Sequence, residues 1–260
     1  MNSSATLTAE LREAVSTGGL TVEYQPLFAL AEAGLPVHPV GVEALCRWIH
    51  PRLGLIVPDR FIPLAEKFGL IADIGARVLD TAGAQVTRWQ RAGHRLGLSI
   101  NASPSEFSPR FVETVAVRAA ALGLAPGTLT IEITEAPAPQ LIPNVVEVLP
   151  MLSATGIGIS IDDYGAGQVL LDELEVVPIQ EVKIDRSLTQ RSDAEADAEI
   201  AGVVQRAERL GWRVVAEGIE TLDDLERSRE RGCHIGQGYL LGRPIPADEM
   251  GRLLETAAAL

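Results

Sequence analysis

The chain has 260 residues, of which 47% are hydrophobic and 22% are charged. This composition is typical of a globular protein and is too apolar for a disordered chain. The 35 acidic and 22 basic residues give a formal net charge of −13, which argues against a long nucleic acid or an anionic membrane surface as partner. The length suits one large domain, and α/β barrels commonly contain about 250 residues.

The cellular compartment can be inferred from features that are missing. The two cysteines are too few for a disulfide framework, which favours a reducing compartment. The N-terminal residues contain no basic segment followed by an apolar run, as a signal peptide would. No uncharged stretch approaches the roughly 18 residues that a membrane span needs. We therefore predict a cytoplasmic protein without a membrane anchor.

The hydrophobic pattern predicts strands and helices in alternation. A short helix over residues 7–16 ends at the glycine pair 18–19. This helix and the glycine turn form an N-terminal extension over residues 1–19. Eight β-rich runs follow, at residues 21–27, 40–48, 96–101, 129–134, 157–162, 181–184, 213–216 and 234–237. Helical patterns lie between most of them, at residues 71–92, 108–122, 144–154, 194–210 and 222–231, with a last helix over 247–258.

Eight strands that alternate with helices predict a parallel sheet closed into a barrel. The first two strands are the exception, because only residues 31–38 connect them. A parallel pair needs a crossover of a dozen residues or more, so these two strands should be antiparallel. The predicted fold is a single α/β domain over residues 1–260, a modified TIM (β/α)8 barrel with an antiparallel first strand.

Polar side chains lie in or directly after these apolar strands. They comprise five carboxylates, two amides and one lysine, namely Glu43, Asn101, Glu132, Asp162, Asp163, Lys183, Glu217 and Gln237. The C-terminal ends of barrel strands meet at one mouth, so these side chains should share a small volume. Any one of the acids could instead be a helix N-cap or a loop salt bridge, and an Asp-Asp-Tyr-Gly segment is also ordinary turn chemistry.

So many carboxylates in one volume require neutralisation, because two adjacent carboxylates already force one of them to take a proton. Hard oxygen ligands select Mg²⁺, Mn²⁺ or Ca²⁺. One ion could be held by Glu43, Asn101, Glu132 and Asp162, and a second by Asp162, Asp163 and Glu217. Paired cations of this kind activate water for attack on a phosphodiester, and Lys183 would position the hydroxide or screen charge.

The same residues lie in motifs that resemble those of the EAL family, the bacterial phosphodiesterases of cyclic di-GMP. The resemblance extends from about residue 24 to residue 246. It is carried, in the order found in the family, by VEALCRW, HPRLGLIVPDRFIPLAEKFGLI, SINAS, IEITE, IDDYGAG, VKIDRS, VVAEGIET and IGQGYLLGRP. It implies a barrel with an antiparallel first strand, two Mg²⁺ or Mn²⁺ ions with Ca²⁺ as an inhibitor, and hydrolysis of cyclic di-GMP to linear pGpG.

The resemblance also implies roles for single residues. Metal would be held by Glu43, Asn101, Glu132, Asp162, Asp163 and Glu217. The catalytic residues would be Lys183, which coordinates water, together with Glu43, Glu217 and Gln237. Cyclic di-GMP would be contacted by Gln25, Arg47, Glu220 and Tyr239. A guanidinium group suits phosphate because it can bond two oxygens at once. Two of these positions have an alternative interpretation, since Tyr239 could be a packing aromatic at the rim and Gln25 an amide of the barrel interior.

One loop departs from the family pattern. It reads DDYGAGQVLL, where active members read DDFGTGYSSL or close to it, so Ala166 replaces a threonine and Gln168-Val169 replace an aromatic-serine pair. Glu135, which matches the glutamate that supports this loop, is retained. The departure favours an alternative, a weak or inactive EAL-type module that binds cyclic di-GMP or a protein partner. A third possibility is a barrel enzyme for another phosphodiester. Because family dimer contacts lie near this loop, we also expect a homodimer, with regulation by a protein partner as a further possibility.

Overall fold

The computed structural model of the chain describes residues 4–31, 33–134, 145–166, 175 and 177–258. Its strands are β1 Leu20–Ala29, β2 Pro39–His50, β3 Gly54–Ile56, β4 Gly97–Asn101, β5 Leu129–Thr134, β6 Gly158–Tyr164, β7 Glu181–Ile184, β8 Arg213–Ala216 and β9 Ile235–Gly236. Its helices are α1 Ser4–Thr17, α2 Pro58–Lys67, α3 Ile71–Arg91, α4 Pro109–Leu122, α5 Val145–Ala154, α6 Arg186–Thr189, α7 Ala194–Leu210, α8 Leu222–Glu230 and α9 Ala247–Ala258. Among these helices, none is both long enough and apolar enough to cross a membrane.

The strands close into a barrel with one reversed member. The sheet order is β1-β9-β8-β7-β6-β5-β4-β2-β3, and β1 also pairs with β2. Strand β1 is antiparallel to both of its neighbours, whereas the pairs from β2–β4 to β8–β9 are parallel. The predicted modified barrel with an antiparallel first strand is confirmed, and the predicted elements agree with the observed bounds to within three residues at each end.

Alternation along the strands sorts the side chains between two environments. Ile131, Ile159 and Val182 are fully buried and belong to the apolar cluster that the strands share with the helices. The residues next to them in the chain are polar and lie on the other side of the sheet, inside the barrel. Glu132 and Lys183 therefore lie in the barrel interior, and both are fully buried.

Two elements between β2 and α3 were not predicted. Strand β3 pairs antiparallel with the end of β2 and forms a hairpin that continues the sheet beyond the barrel. Helix α2 begins at Pro58 and contains Pro63, and the second proline is unfavourable inside a helix because it removes a backbone hydrogen bond. Tertiary packing outweighs the unfavourable effect of Pro63 on the helix. Phe61 of α2 is fully buried, and the centroid of its ring lies 6.1 Å from the centroid of the Trp48 ring.

The stability of this region should depend on that contact. Replacing Phe61 by alanine leaves a cavity against Trp48, so we expect Phe61→Ala to lower the free energy of unfolding by about 3–5 kcal/mol. The matched control is Phe68→Ala, directly after α2, because the Phe68 side chain is 40% exposed. Urea-induced unfolding followed by tryptophan fluorescence measures both variants. Equal midpoints for the two would contradict the packing described here.

Candidate metal and ligand site

A fully buried lysine lies at the centre of the candidate site. Lys183 extends from β7 to the mouth of the barrel, where its Nζ is surrounded by carboxylates from four other positions. It lies 2.9 Å from Glu217 Oε1, 3.0 Å from Asp162 Oδ1, 3.1 Å from Glu132 Oε2 and 3.4 Å from Glu43 Oε2. The predicted convergence of strand-end residues is thus present at these five positions.

Two amides complete the surroundings of Glu43 on β2. Asn101 Nδ2 donates to Glu43 Oε1 at 2.8 Å, and Gln237 Nε2 donates to Glu43 Oε2 at 2.8 Å. Burial raises the pKa of Glu43, but the charge of Lys183 and the hydrogen bonds from Gln237 and Asn101 outweigh burial and hold the pKa below its ordinary value. These contacts therefore favour the charged form of Glu43 within the barrel.

Two other carboxylates of the group, Glu132 and Glu217, hold protons more tightly. Burial and the charge of Glu43 raise the pKa of Glu132 well above its ordinary value. Burial raises the pKa of Glu217 to about 8, although Lys183 acts in the opposite direction. Burial lowers the pKa of Lys183, but its carboxylate neighbours, Asp162 first, outweigh burial and raise that pKa well above its ordinary value. One ammonium group does not balance this many carboxylates, so further positive charge would stabilise the group.

Neighbouring Asp162 and Asp163 both reach the mouth because β6 contains a bulge. Ile161 pairs with Val182 and Tyr164 pairs with Ile184, so the two aspartates lie opposite the single residue Lys183. A bulge of this kind redirects side chains that would otherwise point to opposite faces. Asp163 has a φ of 59°, a left-handed backbone conformation that is uncommon outside glycine.

The donor set fits a divalent cation. Within the described ranges, Asp162, Asp163 and Glu217 form the one group of at least three acidic, histidine or cysteine residues whose ligand atoms all lie within 4.8 Å of one another. Burial and the charge of Asp162 raise the pKa of Asp163 to about 6, as expected for crowded carboxylates. Asp162 Oδ1 and Glu132 Oε1 are buried without a hydrogen-bond partner, although the former lies within ion-pair distance of Lys183. Carboxylate oxygens in this arrangement are ligands that Mg²⁺ and Mn²⁺ prefer.

A cavity of about 250 Å³ adjoins this cluster. Three of the predicted ligand-contacting residues, Gln25, Glu220 and Tyr239, line it together with Glu43 and Glu217. Gln25 Nε2 also donates to the carbonyl oxygen of residue 242 at 3.1 Å, so this amide is satisfied within the barrel. Larger cavities of about 430 and 500 Å³ lie beside α3 and share Asn101 with the site.

Arg47 does not border the 250 Å³ cavity. Its Nε donates to Glu23 Oε2 at 2.7 Å, and its Nη1 donates to the carbonyl oxygen of Cys46 at 3.2 Å. Glu23 was not predicted to belong to the site, and no sequence pattern marks it apart from its place on β1 next to Tyr24. The antiparallel β1–β2 pairing sets this ion pair, because residue 23 lies near residue 47 across the ladder.

Arg186 also lines the cavity and was not predicted. It begins α6, within the VKIDRS motif, and the motif was the signal that could have pointed to it. Gly218, directly after Glu217, has a φ of 67°, and a Cβ atom there would lie 2.2 Å from Arg186 Cβ. The glycine of the VVAEG motif is therefore required by both its backbone conformation and this close approach.

The structure describes the first residues of the altered loop, which follows β6. Glu135, Gln168 and Val169 lie outside the described residues. Of the substituted positions, Ala166 is described, and its N–H donates to the carbonyl oxygen of Asp163 at 3.1 Å. The replacement of threonine at this position therefore lies in the turn that directly follows the two aspartates.

Comparison with known proteins identifies relatives of this barrel. The profile of the EAL domain matches residues 8–244. The chain is 40% identical over 245 residues to the bifunctional diguanylate cyclase/cyclic di-GMP phosphodiesterase MucR of Pseudomonas aeruginosa, covering 93% of this chain and 35% of MucR. It is 39% identical over 241 residues to the cyclic di-GMP phosphodiesterase NbdA of the same species, covering 91% of this chain and 30% of NbdA. The chain therefore spans about a third of the length of these curated relatives.

A solved structure gives the same assignment. The PaMucR phosphodiesterase in complex with c-di-GMP superposes with a TM-score of 0.84 at 38% sequence identity, covering 94% of this chain and 99% of that chain. The family profile, the sequence relatives and the barrel agree with the resemblance that the motifs carry. The chain belongs to the EAL domain family.

Proposed function

We propose that the chain hydrolyses cyclic di-GMP to linear pGpG with the aid of two divalent cations, Mg²⁺ or Mn²⁺. The observation that carries the proposal is the cluster of carboxylates around Lys183, which opens into a cavity lined by Gln25, Glu220 and Tyr239. Relatives that are named cyclic di-GMP phosphodiesterases support the choice of substrate. The single-domain organisation, the homodimer, the protein partner and the cytoplasmic location stay predictions.

The proposed ligand sets follow the distribution of oxygens. One cation would be held by Glu43, Asn101, Glu132 and Asp162, and the other by Asp162, Asp163 and Glu217. The buried Glu132 Oε1, which has no hydrogen-bond partner among the described residues, supports this assignment, as does the spacing of Asp162, Asp163 and Glu217. When bound, the cations would supply Lewis-acid activation of a water molecule and charge compensation at the phosphodiester. Ca²⁺ would occupy the same ligands and inhibit turnover.

The protein side chains would orient the reactants. Ion pairs with the neighbouring carboxylates fix the position of Lys183 Nζ. This Nζ would donate a hydrogen bond to the attacking water. The water oxygen would form a bond to phosphorus and release one proton, the bond from phosphorus to the ribose oxygen would break, and that oxygen would take up one proton to become a hydroxyl group, so that the two proton transfers balance. Gln237 and Asn101 hold Glu43 in place for this reaction through their hydrogen bonds.

The remaining predicted residues would bind the nucleotide. Arg47 is held by Glu23 through Nε, and within the described residues no partner engages its Nη2, which would bind a phosphate oxygen. Tyr239 lines the cavity with half of its side chain exposed and would stack on guanine. Glu220 and Gln25 would accept or donate hydrogen bonds at the edges of the ligand.

The role of Glu43 is tested by removing its charge. We expect Glu43→Gln to reduce the formation of pGpG from cyclic di-GMP by about 100-fold or more with Mg²⁺ or Mn²⁺. A shift of the reacting groups by about 1 Å is by itself enough to lower a reaction rate by about this factor. Chromatography of the products measures the rate. Glu249→Gln, an exposed position on α9, is the control and should keep the wild-type rate. A wild-type protein that binds cyclic di-GMP without forming pGpG would favour the receptor function instead.

Metal binding is tested independently of turnover. A cation that binds only the folded chain at about 100 times its dissociation constant stabilises it by about 2.7 kcal/mol, so Mn²⁺ should raise the melting temperature by about 5 °C or more relative to EDTA. Asp163→Asn removes a charge that repels Asp162, and asparagine tolerates the left-handed backbone. We therefore expect this variant to melt higher than the wild type in EDTA and to gain less from Mn²⁺.

The control for this measurement is Asp248→Asn, in the first turn of α9. It removes a charge of the same kind far from the cluster and should keep the wild-type gain from Mn²⁺. If Asp163→Asn and Asp248→Asn gained equally from Mn²⁺, Asp163 would not be a metal ligand.

A further inference from the structure

A tight turn follows β9 at the rim of the 250 Å³ cavity. The amide groups of Leu241 and Gly242 both donate to the carbonyl oxygen of Gly238, at 3.1 and 2.9 Å. The amide group of Leu240 donates to the carbonyl oxygen of Ile219 at 3.0 Å, which joins the turn to the segment after β8. The backbone of this turn is therefore held by hydrogen bonds within itself and to a neighbouring wall of the barrel.

Close packing restricts the turn further. A Cβ atom on Gly238 would lie 2.2 Å from the backbone nitrogen of Ile219, and one on Gly242 would lie 2.5 Å from Pro26 Cγ. Gln25 also donates to the carbonyl oxygen of Gly242. Since the turn touches β1 on one side and the segment after β8 on the other, the Cα positions of the residues that it carries are well determined.

Two side chains of this segment lie against each other. The Arg243 guanidinium carbon lies 4.1 Å from the centroid of the Tyr239 ring, well within the range of a cation–π contact. The Tyr239 side chain is 51% exposed, so packing against the barrel does not fully enclose it. Among the described residues, Arg243 makes the one cation or ring contact of Tyr239.

Tyr239 borders the cavity, whereas its cationic neighbour does not. Tyr239 lines the cavity beside Glu220 and Gln237, whereas Arg243 does not line it. The guanidinium group thus contacts the ring without bordering the cavity.

We propose that Arg243 is a positioning residue that holds the Tyr239 ring as a stacking platform for a purine base of the ligand. The inference rests on the proposed function, which supplies the base. An exposed tyrosine rotates among several rotamers, and a ligand that stacks on it must restrict that rotation at a cost in affinity. Arg243 restricts the ring before the ligand arrives, and the base then completes a stack of guanidinium, tyrosine ring and purine.

Direct attraction between Arg243 and the phosphates of the ligand is the competing account. It predicts an effect of Arg243 that does not require the Tyr239 ring. The positioning account predicts that the effect disappears when the ring is absent. A double-mutant cycle between the two residues separates these accounts.

The experiment measures the dissociation constant of cyclic di-GMP by calorimetry in Ca²⁺, and KM and kcat in Mn²⁺. We expect Arg243→Ala to raise the dissociation constant and KM about threefold to fivefold, the size of a cation–π contact at an exposed site, with kcat within twofold of the wild type. Arg243→Lys should recover part of the loss because lysine retains the charge. In a Tyr239→Ala background, Arg243→Ala should change the dissociation constant by less than about 1.5-fold.

Arg95→Ala is the matched control. Arg95 is an exposed arginine just before β4, at the opposite end of the barrel, and its loss should leave binding unchanged. Equal effects of Arg243→Ala with and without the Tyr239 ring would overturn the inference, as would no effect in either background. A wild-type protein that neither binds nor hydrolyses cyclic di-GMP would reject the proposed function, and the inference would fall with it. Melting temperatures of all variants establish that they are folded.

Discussion

The structure depends on one constraint, the burial of the Lys183 ammonium group inside the barrel. A buried charge is tolerated only when opposite charges and hydrogen bonds compensate for the lost water. Glu43, Glu132, Asp162 and Glu217 place more carboxylates around the lysine than one ammonium group can balance when all of them are ionised. The excess makes the mouth of the barrel a place where additional cations stabilise the folded chain, so the structural requirement and the proposed chemistry have the same origin.

The barrel wall makes this arrangement possible by presenting different residues on its two sides. Apolar side chains such as Ile131 and Ile159 pack against the helices, and their polar neighbours along each strand point inward. The reversed β1 closes the barrel and brings Gln25 beside Glu43 and Glu23 near Arg47. The site therefore includes contributions from an antiparallel ladder that a regular barrel does not contain. The rim turn after β9 adds the Tyr239–Arg243 pair, whose placement depends on contacts with β1 and with the segment after β8.

Much of the fold and of the carboxylate cluster could be predicted, because the strands are rich in apolar residues and carry the polar residues within them or directly after them. Helix α2 was missed since Pro63 signals a break that burial of Phe61 overrides. The bulge that brings Asp163 to the mouth leaves no pattern in the sequence, because its cause is a register shift between β6 and β7. The ion pair of Arg47 with Glu23 was missed for a similar reason, as cross-strand neighbours depend on the pairing register.

The sequence by itself determined the barrel, its reversed first strand and the set of carboxylates, amides and lysine that lie at strand ends. These follow from local properties, namely hydrophobic periodicity, the length of the connection between strands and the order of the motifs. Only the tertiary structure decided which groups contact one another and how their pKa values shift. It placed Lys183 against four carboxylates, raised the pKa of Glu217 to about 8 and stacked Arg243 on Tyr239. Distance and burial set these interactions, and both arise only when strands far apart in the chain meet around one axis.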